Sequence, residues 1–139
     1  MGLRYRGYCG RIGTGITIGV ASPEQRAFLE SNAEIVEQAL AIARPGVRAA
    51  EMTRVATRLG DKLGVSRELW PGGHGLGIHT HELPFINPES EDTFEVGMTF
   101  VFEPMLLRTG FGTANVERVY VMTSSGPESL SDVPMKLWR

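Results

Sequence analysis

The sequence predicts an α+β domain in which two helices pack on one face of a mainly antiparallel sheet. Helical three- and four-residue periodicity is confined to one stretch, from Ser22 to Leu63. Runs rich in β-branched and aromatic residues lie on both sides of it, so the order is strands, two helices, strands. A hydrophobic share of 42% over 139 residues is enough for one real core, and residues 1–139 are read as a single domain.

Leu3–Cys9 and Ile16–Val20 read as strands, separated by the Gly10–Gly15 stretch. Cys9 lies in an apolar run without an activating partner and is expected to pack in the core. Ser22-Pro23-Glu24-Gln25 is a helix start: Ser22 can cap, Pro23 suits the first helical position, and Gln25 sits at the reciprocal capping-box site. Phe28, Asn32, Ile35, Ala39 and Ile42 then mark the buried face, and Arg44-Pro45-Gly46 stops the helix. The second helix runs from about Ala49 to Leu63, with Met52, Val55, Leu59 and Leu63 inside and Gly64 as its C-terminal cap. Pro88–Asp92 is a polar loop. Met98–Phe102 and Val116–Met122 read as strands joined by the Gly110–Gly112 turn region. After Ser124-Ser125-Gly126-Pro127 come a turn and a short closing strand, with Trp138 near an end expected to fray.

A formal net charge of -2 with acids and bases interspersed provides no electrostatic footprint for nucleic acid or an anionic membrane. One cysteine precludes an internal disulfide and fits a reducing compartment, so a cytoplasmic protein is expected. No stretch is apolar enough to span a membrane, and the Arg-rich start lacks the apolar segment of a signal peptide.

Chemistry concentrates in Pro71 to Ile86, PGGHGLGIHTHELPFI, which sets all three histidines among glycines. Glycines beside His74 would allow positive φ and leave the imidazole exposed on a turn, although such a histidine often only bonds a backbone group. On an extended segment His79 and His81 point to one side and Glu82 to the other. Glu103, before Pro104 at a strand end, is a carboxylate held at a sheet surface. Glu117 interrupts an apolar strand, so it is either solvated or aimed into a polar site.

In this order the motifs resemble the family of methionine aminopeptidases, Xaa-Pro dipeptidases and creatinase, which share the pita-bread fold. The resemblance runs from Tyr5-Arg6-Gly7-Tyr8 through Arg44-Pro45-Gly46-Val47 and GHGLGIHTHELPFI to Gly126-Pro127-Glu128. It is strongest to the Xaa-Pro dipeptidase branch, with its pattern G-H-G-x-G-x-x-x-H-E-x-P. It implies the second half of a pita-bread domain, in a family that hydrolyses peptide bonds with two divalent ions (Mn, Co or Zn) held by two Asp, one His and two Glu. Matched by motif, the metal ligands would be His74, Glu103 and Glu117. Glu103 would also move protons, His81 would contact the substrate carbonyl, and His79 would lie on the same substrate-binding surface. His74 and His81 could also act as acid and base without a metal.

The pattern breaks at the aspartates. Aligning Gly7-Tyr8-Cys9 with the family's Gly-Tyr element puts the second aspartate at Arg11, and the first would fall just before Met1. Asn115-Val116-Glu117-Arg118 stands where the family usually has Arg-Ile-Glu-Asp. Arginine cannot deprotonate to become a ligand. At about 4 Å and an effective dielectric near 20, two unit charges interact by roughly 4 kcal/mol, and a divalent ion would be repelled about twice as strongly. Arg11 is therefore expected to stand in for the metal cation between Glu103 and Glu117, or else to swing to solvent and leave no cofactor there.

Three readings follow: a peptidase-family hydrolase with an incomplete metal site, a non-catalytic peptide- or protein-binding module of the same fold, or a truncated pseudoenzyme. A half-domain exposes sheet edges, so a homodimer or a partner chain completing the fold is expected, with a small peptide or amide as ligand.

Overall fold

The computed structural model describes residues 2–135; Trp138, expected at a fraying end, lies outside them. Among the described residues every strand pairing is antiparallel, in a two-stranded hairpin of β1 (Gly2–Tyr5) and β2 (Tyr8–Arg11), a five-stranded sheet in the order β10 (Gly126–Ser129), β9 (Arg118–Thr123), β6 (Thr99–Phe102), β4 (Gly73–Gly75), β5 (Glu82–Ile86), and a three-stranded sheet in the order β3 (Leu69–Trp70), β7 (Met105–Arg108), β8 (Gly112–Asn115). The chain enters as β1 (Gly2–Tyr5) and β2 (Tyr8–Arg11), not as one strand. Arg6 and Gly7 both adopt positive φ, 48° and 91°, which is what a two-residue hairpin loop requires. Ile16–Val20 forms no named strand: Ile16 makes a single bridge, the chain bends at Ile18 and Gly19, and Ile16, Ile18 and Val20 are exposed.

Helix α1 (Pro23–Leu40) carries the expected capping box, with Ser22 and Gln25 satisfying each other's backbone N–H groups. Its buried stripe is Phe28, Asn32, Ile35 and Ala39; Ile42 falls beyond the helix end and is partly exposed. Helix α2 (Ala50–Lys62) buries Met52, while Val55, Leu59 and Leu63 pack at the margin of the core. It closes on Gly64 at φ 71°, with Val65 N–H donating to Gly60 O at 2.8 Å and Gly64 N–H to Asp61 O at 3.2 Å. That is a Schellman turn.

Several strands escape the sequence patterns: β3 (Leu69–Trp70), β4 (Gly73–Gly75), β5 (Glu82–Ile86), β7 (Met105–Arg108) and β8 (Gly112–Asn115). The Gly110–Gly112 turn thus closes the β7-β8 hairpin; it does not link β6 (Thr99–Phe102) directly to β9 (Arg118–Thr123). The closing strand is β10 (Gly126–Ser129).

Alternation on the five-stranded sheet makes two different faces. Phe100, Phe102, Tyr120, Met122 and Ile86 join α1 and α2 in one apolar core. His74 pairs with Val101 and Val101 with Val119, so these point the other way. By the same parity Glu103 and Glu117 continue that second face, onto which the β1-β2 hairpin delivers Arg11. Cys9, expected in the core, is half-buried on this hairpin, where its thiol lies 3.5 Å from Ile78 O. Among the described residues no helix is long and apolar enough to cross a membrane.

Candidate functional site

The glycine-rich motif is not a turn. Residues 73–75 form an interior strand of the five-stranded sheet, between β6 and the edge strand β5, and His74 is buried, not exposed. Neither flanking glycine has positive φ. They are small because strands press from both sides: a Cβ on Gly73 would overlap Val101 O, and one on Gly75 would overlap Leu83 O. The β4-β5 register slips between His74 and Gly75, which marks an irregularity beside the site.

Arg11 reaches all three residues. Its Nε lies 2.7 Å from Glu117 Oε1, its Nη2 3.0 Å from Glu103 Oε2, and its Nη1 2.9 Å from His74 Nε2. Glu103 and Glu117 are buried, at 8% and 3% exposure, whereas the Arg11 side chain keeps 28% and opens the cluster to solvent. Glu117 Oε1 is close to Arg11 but off the line of its N–H, so the contact is an ion pair without an aligned hydrogen bond. His74 Nδ1 lies 2.8 Å from Gly75 O, and a carbonyl can only accept, so Nδ1 carries a hydrogen. In the neutral ring, Nε2 then accepts from Arg11; on protonation it would donate to Glu103 Oε1, 3.2 Å away.

The two carboxyls are pushed apart. Burial alone would raise Glu103, but the His74 ring and the Arg11 charge outweigh it and hold Glu103 below the ordinary range. Burial and the Glu103 charge push Glu117 above its ordinary value against the pull of Arg11. One guanidinium between two buried carboxylates is an arrangement that costs several kcal/mol if the cation is removed.

His81 and His79 part company. Residues 77–81 run through bends, so the predicted alternation does not hold. The His81 ring stacks on His74 with centroids 4.0 Å apart, while His79 is turned to solvent beside Glu82, whose Oε1 accepts from the His79 backbone N–H at 2.6 Å. His79 is therefore outside the cluster, and Glu82 is on its side, not opposite. Two clefts meet at Arg11: one of about 350 Å³ between Trp70, Glu103, Met105 and Asn115, the other of about 560 Å³ beside Arg4, Cys9, Thr80 and His81.

Sequence reasoning missed the residues that hold this face together. Asn32, buried on α1, donates to Pro104 O at 2.6 Å and accepts from Val116 N–H at 2.8 Å, tying down the segments next to Glu103 and Glu117. The polar amide in an otherwise apolar helical stripe was the available signal. Gly13 pairs with Glu117 through reciprocal backbone bonds of 2.9 and 3.2 Å, and a Cβ there would meet Glu117 Cβ at 2.8 Å. No periodicity could expose that contact across 104 positions.

The model of metallopeptidase family M24 matches residues 1–124. The chain belongs to this family. Among curated relatives, the Xaa-Pro dipeptidase of Lactobacillus helveticus is 31% identical over 91% of the chain and 34% of its own length. The methionine aminopeptidase of Aquifex aeolicus is 27% identical over 95% of the chain and 60% of its own length. The crystal structure of an X-Pro aminopeptidase from Thermotoga maritima superposes with a TM-score of 0.94 at 28% identity, covering 99% of this chain and 39% of that one. This M24 chain thus spans between 34% and 60% of the length of these relatives, and its architecture is that of a partial pita-bread domain.

M24 proteins are metallopeptidases, so the residues must be tested against a metal. They do not fit. The Nε2 lone pair that would ligate a metal faces Arg11 Nη1, and the same guanidinium takes an oxygen of each carboxylate. Among the described residues, no group of three or more His, Cys, Asp or Glu is placed to hold a metal ion.

Proposed function

We propose that this chain is an M24 module in which the Arg11 guanidinium stands in for the divalent cation, so that it binds a small peptide or amide in the family cleft without metal-dependent hydrolysis. The observation that carries the reading is the single guanidinium within 3.0 Å of His74, Glu103 and Glu117 together. A cation there neutralises buried carboxylates permanently, but it carries no exchangeable water whose pKa could fall. In this reading His74, Glu103 and Glu117 are remnant metal ligands, and His81, at the mouth of the 560 Å³ cleft, contacts the ligand carbonyl, while the solvent-facing His79 reaches the ligand only from outside the cleft. The relatives' names support an Xaa-Pro dipeptide as the ligand class to try first.

A cytoplasmic location is part of the proposal, supported by the single cysteine. So is a homodimer or a partner chain completing the fold. Leu3, Tyr5, Tyr8, Ile16, Ile18 and Val20 are all exposed on the hairpin and the segment after it, an apolar surface suited to a second protein.

The test is metal analysis of the purified chain alongside turnover of an Xaa-Pro dipeptide with added Mn(II). Sub-stoichiometric metal, no turnover and a dipeptide-dependent rise in Tm are expected. Stoichiometric Mn, Co or Zn with turnover abolished by His81→Ala would overturn it. A second reading, metal-free hydrolysis with His74 and His81 as acid and base, draws on their ring stacking. Turnover in the presence of a chelator would favour it.

A further inference from the structure

Arg118 is 2% exposed, and among the described residues its hydrogen bonds go to backbone carbonyls and not to a carboxylate. Its Nη1 donates to Gly13 O at 2.5 Å and to Glu117 O at 2.7 Å, its Nε to Val133 O at 2.9 Å and its Nη2 to Pro134 O at 2.8 Å. Burial lowers the pKa of this guanidinium, while the nearby Tyr120 and Glu117 charges oppose that. A buried cation is tolerable here because four carbonyl dipoles replace its water.

Gly13 O and Glu117 O are the two carbonyls of the isolated bridge between the segment that follows β2 and the residue preceding β9. That bridge sets the distance between Arg11, two residues before Gly13, and Glu117 itself. The other two carbonyls belong to the C-terminal segment after β10. Three stretches of chain therefore converge on one planar fork.

We infer that Arg118 is a positioning residue that, together with the Val133–Pro134 carbonyls of the C-terminal segment, straps the Gly13–Glu117 bridge and so holds Arg11 in register with Glu103 and Glu117. The fork geometry is essential. Lysine would keep the charge but present a point donor that cannot serve carbonyls on opposite sides. The strap also explains how a hairpin with exposed Leu3, Tyr5 and Tyr8 keeps its Arg11 end seated on the sheet. The inference goes beyond the proposed function and is independent of whether the cleft binds a peptide or a metal.

The test uses the full chain labelled with ¹⁵N, the Arg118→Lys variant, and a variant ending at Asp132, which leaves Arg118 intact but removes its C-terminal acceptors. In both variants, Gly13 and Glu117 amides are expected to exchange at least tenfold faster. The Arg11 Nη1 and Nη2 resonances, distinct in the parent because the group is clamped, are expected to merge. Val36 and Met52 amides, in the helix core, should keep their protection. Unchanged Gly13, Glu117 and Arg11 signals in both variants would overturn the strap. Parallel loss of Val36 and Met52 protection would overturn it too, by showing that Arg118 only stabilises the whole fold.

Discussion

The two faces of the five-stranded sheet are built on opposite principles. Toward the helices, Phe100, Phe102, Tyr120 and Met122 fill an apolar core whose strength scales with buried area and is indifferent to pH. On the other face, His74, Glu103 and Glu117 are just as buried, but their stability hangs on one cation contributed by a hairpin that is itself largely exposed. One side tolerates conservative change; the other depends on individual atoms. The same strands can therefore keep the M24 fold while the chemistry carried on their opposite face is replaced.

The largest effect should come from the apolar face. Phe102→Ala leaves a cavity between β6 and the helices and is expected to lower stability by about 3–5 kcal/mol in denaturant unfolding, without altering the charge cluster. On the polar face, Arg11→Met removes the cation between two buried carboxylates. It should cost about 3 kcal/mol at neutral pH, and the deficit should shrink as acid protonates Glu103 and Glu117. A deficit that stays constant from neutral pH to about pH 4 would mean that the guanidinium acts through packing alone.

Asn32 couples the two faces. Asn32→Leu strands Val116 N–H and Pro104 O, and a loss of about 2 kcal/mol in thermal unfolding is expected.

The smallest effect concerns pH. Because the folded-state pKa of Glu117 is raised, its stabilising contribution is complete below its unfolded value and is lost as pH rises through the folded one. Glu103, held low, runs the other way, its contribution present above its unfolded value and lost as pH falls. Glu117→Gln deletes the first term and touches the second only through the minor Glu117 contact of Glu103. Its Tm relative to the parent should therefore climb as pH rises above the ordinary glutamate range, and a flat difference would refute the assignment.

Legibility differed between the faces for the same reason. The capping box at Ser22, the α1 stripe and the Gly64 terminus were readable because helices are written in local spacing. The hairpin turn at Arg6-Gly7 and strands β4, β5, β7 and β8 were missed, because strands of three to five residues carry no alternation long enough to register. His74, Glu103, Glu117 and Arg11 were picked out through the resemblance of the motifs to the family, and the structure brings the four side chains together.

What the chain alone determined was its α+β class, written in near-neighbour spacing, and, through the resemblance of its motifs, the M24 family. Tertiary structure decided that His74 is buried on a strand flanked on both sides, that His79 leaves the cluster while His81 joins it, and that Arg118 binds carbonyls. Those outcomes depend on how strands distant in sequence are brought into register, and long-range register is a property of the packed whole.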